Sequence, residues 1–223
     1  MNIIFSSSIV KKLIMSVAGL FLIVFLVIHL SINLLLIFSD SRETFNKAAH
    51  FMASNWGIKI MEVILFGGIL LHIFYGIYLQ LKNWIARGRG YTITNYSQTS
   101  FFSKFMIHTA VIIAVFMVIH LMDFYFKAKF FGEVPEVFYN GKTYHDLGIL
   151  VIEKFKIPVF VFFYIACFLF LAFHLLHGFW SAFQTLGLDH KVYTPVIKAL
   201  GTLYTILVTG GFTLIPIYIY YFM

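Results

Sequence analysis

Cysteine is almost absent. Cys167 is the only one in the 223-residue chain, so no internal disulfide can form. With no C-x-x-C-H motif, thioether attachment of a cofactor is excluded, and so is a four-cysteine iron–sulfur cluster. Charge is equally scarce: only 11% of residues are Asp, Glu, Lys or Arg, while 61% are hydrophobic and 20% aromatic. A soluble domain cannot cover its surface with so few charges. Proline is limited to four residues, and no low-complexity linker or charge block divides the chain. A mean hydropathy of +0.92 places it among all-α polytopic membrane proteins, as one transmembrane domain covering 1–223.

Five apolar runs are long enough to span a bilayer, at about 14–38, 59–81, 105–126, 157–182 and 199–222. Lys11 and Lys12 before the first run resemble the start of a signal peptide. The run from Leu13 to Phe38 is too long for a cleavable core and no A-x-A site follows, so a retained helix is expected. The connecting loops fall near 39–58, 82–104, 127–156 and 183–198. The third contains YHDLGILVIEKF, which suits a short amphipathic helix at the membrane interface. Trp56, Trp84, Tyr78 and Tyr91 suit the aromatic belts, and Gly19, Gly67, Ala166 and Gly211 suit helix packing.

Five spans put the termini on opposite sides. With the N-terminus inside, the inner segments carry Lys11, Lys12, Lys82, Arg87, Arg89, Lys104, Lys191 and Lys198 against a single acid, Asp189. The outer segments carry eight basic residues and eight acids, among them Asp40, Asp123 and Asp146. The basic count is therefore tied, and Lys11-Lys12 on the first helix tilts the orientation toward a cytoplasmic N-terminus. The net charge of +7 then lies on the cytoplasmic face, suited to an acidic soluble partner or anionic lipid. So apolar a chain is a poor nucleic-acid binder.

Against this apolar background four histidines stand out: His29, His72, His120 and His174, one in each of the first four runs. A titratable ring inside hydrocarbon is costly and is kept for a reason. Helices alternate in direction, so His29 and His120 fall in the outer half, and His72 and His174 in the inner half. Facing imidazoles in a helical bundle suit axial ligation of haem iron from both sides, giving two sites stacked across the membrane, offset by roughly 10 Å at 1.5 Å per residue. The i±4 neighbours fit a flat ligand: Gly68 and Gly76 flank His72, Gly178 follows His174, Phe116 and Phe124 flank His120, and Phe25 and Asn33 flank His29. Two other readings stay open: ordinary interhelical hydrogen bonding, or a proton or metal path. His177, one turn after His174, is an alternative ligand. His108 reads as interfacial, and His145 and His190 as solvated loop residues. Glu62, one turn into the second run, and Asp123, at the end of the third, are costly carboxylates; Glu62 has Lys59 as a possible partner.

These residues resemble the cytochrome b membrane anchor of succinate:quinone oxidoreductases, in the single-chain, five-helix, dihaem form found with menaquinone. The resemblance rests on GLFLIVFLVIHLSIN around His29, TFNKAAHFM before the second run, LLHIFYGIY around His72, VIHLMD around His120 and FHLLHGFWSAFQTLG around His174, in that order. It covers nearly the whole chain and implies two haem b groups. His29 and His120 would hold the outer, distal one, and His72 with His174 the inner, proximal one. It also implies a multi-pass protein of the bacterial cytoplasmic membrane, N-terminus cytoplasmic and C-terminus outside. A flavoprotein carrying FAD and an iron–sulfur subunit would dock on the cytoplasmic face, where the succinate or fumarate chemistry takes place. Electrons would pass between the iron–sulfur subunit and membrane quinone. Some members carry a membrane-embedded Glu two residues before the helix-4 ligand; here Ala172 stands there. Another acid of those members, before helix 2, has Phe45 at the equivalent spacing. The quinone is expected near the outer interface, with His50, Glu43 and Glu62 as candidate proton donors or acceptors. The alternatives are the cytochrome b subunit of another respiratory complex, or a transporter with a histidine proton relay.

Overall fold

The apolar runs fold as long helices, because backbone polar groups inside a bilayer must be satisfied within their own segment. The computed structural model describes residues 8–39, 41–87 and 105–223; Asp40, Arg89, Tyr91 and Lys104 lie outside them. The elements are α1 (Ser8–Phe38), α2 (Arg42–Ser54), α3 (Trp56–Arg87), α4 (Met106–His120) with an unbroken π-helical extension (Leu121–Phe131), β1 (Glu136–Tyr139), β2 (Lys142–His145), α5 (Leu147–Phe155), α6 (Pro158–Thr185) and α7 (Tyr193–Phe222). Five of these helices are long and apolar enough to cross a membrane, over Ile9–Phe38, Trp56–Ile85, Met106–Phe131, Pro158–Thr185 and Tyr193–Phe222. The chain is an all-α polytopic membrane protein.

α6 lies along α7 and also packs on α1 and α4, while α1 carries α3 on its other side. Close approach is set by small residues, as expected where lipid removes the hydrophobic drive for helix association. A Cβ at Gly201 would meet Phe179 at 2.7 Å, and one at Gly211 would meet Leu30 at 2.8 Å. Along α7 the hydroxyls of Thr205, Thr209 and Thr213 each donate to the carbonyl four residues back. That satisfies these hydroxyls without a partner helix. Pro216 sits inside the same helix, tolerated where neighbouring helices cover the freed backbone. Large apolar side chains such as Val63, Phe74, Val111, Phe162 and Leu207 point outward; on this bundle they face hydrocarbon.

Two segments differ from the sequence expectation. Residues 39–58, read as a loop, contain α2. Its start is a local capping event, in which the Ser41 hydroxyl accepts from the Glu43 amide. Residues 136–145 form an antiparallel hairpin, closed by Asn140 and Gly141 with φ of 47° and 82°. Positive φ at both central residues is what Asn-Gly tolerates in a tight hairpin turn. The expected amphipathic helix exists as α5, but its apolar face is not laid on the bilayer. Val151, Ile152 and Phe155 are buried, and α5 packs against α2, α6, α7 and the π segment.

Together α2, the hairpin and α5 cap one end of the bundle. Asn46, fully buried, is the pin. Its Nδ2 donates to Asp146 Oδ1 at 2.8 Å and its Oδ1 accepts from the Gly148 amide at 2.9 Å. Asp146 Oδ1 also accepts from the Ile149 amide at 3.0 Å, capping α5, and Oδ2 pairs with Arg42 at 3.1 Å. The main core continues beneath this cap through Leu36, Phe116, Phe155, Tyr164, Phe168, Phe212 and Ile219. The opposite end, where α1 and α7 begin, has no such cap among the described residues and is called the open end.

Candidate functional site: two facing histidine pairs

The rings of His29 (α1) and His120 (α4) face each other with centroids 5.7 Å apart, toward the capped end. Those of His72 (α3) and His174 (α6) face each other at 6.2 Å, toward the open end. The ring opposite His72 is that of His174, not His177. All four are half-buried side chains within membrane-spanning helices. Gly19 lies against the His72 ring, and His29 is ten residues further along α1, about 15 Å at 1.5 Å per residue. Thr109 stands at His174, and His120 is eleven residues further along α4, about 16 Å by the same rise. Two helices therefore agree on an offset larger than the expected 10 Å.

Each pair has its own surroundings. Phe25 stacks on His29 at 5.3 Å, and Phe212 of α7 lies 5.7 Å from it. Phe116, Phe124 and Tyr164 surround His120 at 5.6, 5.3 and 6.2 Å. Asn33 turns back to donate to the His29 carbonyl at 2.8 Å. At the other pair, α1 closes over α3. A Cβ at Gly19 would lie 3.4 Å from His72 Cε1, and the Met15 carbonyl is beside the same ring. The sequence expectation left Gly68 and Gly76 as smooth grooves. Here Phe21 and the Met15 methyl fill them, each 3.2–3.4 Å from the position of a Cβ. Gly19, read as a packing glycine, is the residue that lets backbone approach His72.

Hydrogen bonding decides how these rings are used. Buried imidazoles that serve as helix glue must reach a partner. His72 Nδ1 and His120 Nδ1 are buried and have none. At His174, Thr109 Oγ1 lies 3.4 Å from Nδ1 and already donates to the Met106 carbonyl at 2.9 Å. The hydroxyl is thus the acceptor, Nδ1 carries the proton, and Nε2 keeps its lone pair. An acceptor behind the ring that fixes its tautomer is how a ligating histidine is commonly held. Two imidazoles on opposite sides of one metal ion, each bonded at about 2.0 Å, have ring centres roughly 6 Å apart. The two observed separations fit that requirement. Among the described residues no group of three or more His, Cys, Asp and Glu gathers around one point.

The remaining candidates sit in separate networks at the capped end. His50 is exposed on α2 and packs edge-on against Tyr144 at 5.0 Å. Glu43 pairs with Lys47 at 2.6 Å and accepts from Asn140 at 3.0 Å; the bond to Glu43 holds the Lys47 ammonium above its ordinary range. Glu62 does not pair with Lys59: it accepts from Tyr125 and pairs with Lys129, both on the π segment. Asp123 binds Lys154 of α5 at 2.6 Å and accepts from Tyr164 at 3.2 Å. The sequence pattern does not disclose this triad, a buried Tyr164 with half-buried Asp123 and Lys154, because its members come from three elements. His108 is exposed beside Phe105. His145 is exposed on β2, and His190 accepts from the Val192 amide in the loop before α7.

No family model matches this chain, no curated protein matches it, and no solved structure matches it.

Proposed function

We propose that this chain is a dihaem cytochrome b membrane anchor of a succinate:menaquinone oxidoreductase or quinol:fumarate reductase. The observation that carries the reading is the pair of facing imidazole couples, at 5.7 and 6.2 Å, joined by a buried His120 Nδ1 that makes no hydrogen bond and a buried His72 Nδ1 that makes no well-formed one, the Met15 carbonyl lying beside its ring. His29 with His120 would hold one haem b, and His72 with His174 the other. The bound groups supply one-electron storage at two depths in the bilayer. The chain's own residues hold the rings, exclude water and set the local charge: Thr109 fixes one tautomer, Phe25, Phe116, Phe124 and Phe212 keep the capped-end pair dry, and Asp123–Lys154 places a neutral ion pair one turn beyond His120.

In this reading the open end is cytoplasmic and receives an iron–sulfur subunit with its FAD-bearing flavoprotein. Quinone reacts at the capped, outer end, where His50, Glu43 and Glu62 handle its protons. His50, an accessible imidazole, is the first candidate. The three acid–base groups do not touch one another, so a quinone would be served by one of the three networks rather than by all.

The deciding experiment is a pyridine haemochrome assay on purified protein. Two noncovalent b-type haems per chain with low-spin spectra are expected; one or none sinks the proposal. Co-purification of a flavoprotein with succinate or fumarate activity separates this anchor from a cytochrome b of another respiratory complex. His50→Ala should slow quinone-linked turnover while dye-linked turnover and both haems survive. Unchanged quinone kinetics in variants of His50, Glu43 and Glu62 would move the quinone to the open end.

A further inference from the structure

Charge in this molecule is sorted by end. All five ion pairs among the described residues, Arg42–Asp146, Lys47–Glu43, Lys127–Glu133, Lys129–Glu62 and Lys154–Asp123, lie at the capped end. The chain contains no Asp or Glu before Asp40 and none between Glu62 and Asp123. The acid near the open end, Asp189, is engaged by Gln184 and Thr194. Cations carried by the first part of α1 and the last part of α3 therefore have no carboxylate to meet.

Two of those cations flank Tyr78, one in contact with it and one a helical turn along. Lys11 Nζ donates to the Tyr78 hydroxyl at 2.9 Å and lies 4.6 Å from the centre of its ring. Lys82 stands one turn after Tyr78 on the same face of α3 and is exposed. Because Tyr78 Oη accepts from Lys11, its own proton remains to be given. An ammonium and a hydroxyl thus meet with donors only, with a second ammonium carried one turn away, which is the chemistry of an anion site. Beneath them a groove of about 410 Å³ is lined by Lys11, Phe74, Tyr75 and Tyr78. Phe74, 66% exposed, is one turn deeper than Tyr78 along α3. The polar end of the groove is at the membrane boundary and the aromatic end runs into hydrocarbon.

We propose that this groove between α1 and α3 seats one anionic glycerophospholipid. Its phosphodiester is bound by Lys11, Lys82 and the Tyr78 hydroxyl, and an acyl chain lies along Tyr75 and Phe74. A zwitterionic headgroup brings its own cation to two lysines and is disfavoured; a net negative headgroup is not. The inference does not depend on what the histidines bind.

The test uses the purified full chain in nonionic detergent, titrated with phosphatidylglycerol, phosphatidylcholine or glycerol phosphate, with bound lipid counted by native mass spectrometry. Phosphatidylglycerol should bind in preference to phosphatidylcholine. The preference should fall about fivefold in Lys11→Gln and again in Lys82→Gln, since each ammonium beside an anionic lipid adds of that order to binding. Lys11→Arg should retain it, which separates lost charge from lost folding, and Lys12→Gln should leave it unchanged. Equal binding of the two lipids, or an unaltered preference in the double Gln variant, overturns the proposal. Glycerol phosphate competing as well as phosphatidylglycerol would show a free-phosphate site and overturn the lipid assignment.

Discussion

Thr109 Oγ1 lies 3.4 Å from His174 Nδ1 and gives its own proton to the Met106 carbonyl at 2.9 Å. The side chain of one helix thereby sets the tautomer of a ring on another. Thr109→Val keeps the shape and removes the acceptor. If the His72–His174 pair holds a haem as proposed, the expected result is a hold on it that is roughly 10–100-fold weaker, the usual cost of losing the partner that orients a ligating ring. A shift of that group's redox midpoint is also expected, with the His29–His120 signal unmoved. Thr109→Ser should restore both. Redox titration in membranes reads the two signals separately, and an unshifted midpoint in Thr109→Val would remove Thr109 from the site.

Pairing is tested by removing one ring at a time. On the proposed dihaem reading, His72→Ala should abolish mainly the open-end spectrum, and His120→Ala mainly the capped-end one, because the centroid contacts are His72–His174 and His29–His120. His177→Ala should leave both. Loss of the open-end signal in His177→Ala would move the ligand one turn along α6.

How far the sequence reveals this arrangement follows from range. Each of the five spans is a local property, an apolar run with no backbone partner outside itself, and each is found in its place, though the helices run up to about a turn and a half past the expected ends, as at Tyr193 and Phe131. The depth of each histidine follows from helix direction and rise, also local. What the sequence does not disclose is built from contacts between distant segments. Asn46 and Asp146 are a hundred residues apart, and Asp123, Lys154 and Tyr164 belong to three elements. Two other elements do carry local signals: Ser41 ahead of Glu43 is a helix start, and Asn140-Gly141 between Val137-Phe138-Tyr139 and Thr143-Tyr144 is a hairpin turn. The tie in basic residues between the two ends hides a difference that appears only with partners assigned, since every ion pair among the described residues falls at one end.

Gly19 marks the closest approach of α1 to His72. A Cβ there would stand 3.4 Å from His72 Cε1, ordinary contact for a methyl and too close for anything longer. Gly19→Ala should be tolerated. Gly19→Leu should displace the ring and lower occupancy at the open-end pair while the capped-end pair stays intact. At Gly67 an added methyl would have nothing within 4 Å, so Gly67→Ala is the control. Equal spectra for Gly19→Leu and the parent protein would show that α1 gives way instead.

Asp123 and Lys154 are both nearly buried, 13% and 14% exposed. Breaking such a pair leaves an uncompensated charge. Asp123→Ala should therefore destabilise by about 3–5 kcal/mol, while the double change Asp123→Leu with Lys154→Met should recover most of the loss. Thermal unfolding of the parent, the single variants and the double variant measures the coupling. A double variant no better than Asp123→Ala would show that Tyr164, which donates to the same carboxylate at 3.2 Å, is the main partner.

Asp146 gives the cap an acid limit. Burial by itself would raise its pKa; hydrogen bonds from Asn46 and the Ile149 amide, with the Arg42 guanidinium, outweigh that and hold the carboxyl below its ordinary 3.8. A carboxylate with a depressed folded pKa adds stability that is fully present above the unfolded value and disappears as pH falls through the folded one. Hydrogen exchange in Arg42–Ser54 and Leu147–Phe155 should thus show constant opening free energy between about pH 7 and 5, after correction for the intrinsic exchange rate. Opening should then rise below about pH 4. Asp146→Asn should cost about 1.5–3 kcal/mol of cap stability at neutral pH, as expected for hydrogen bonds to a charged group, and should flatten the acid limb. The long helices α1 and α6 should not follow this profile, since neither contributes a partner to Asp146. If they open together with the cap at low pH, the cap is no separate unit, and the Asn46–Asp146 pin would be holding the whole bundle.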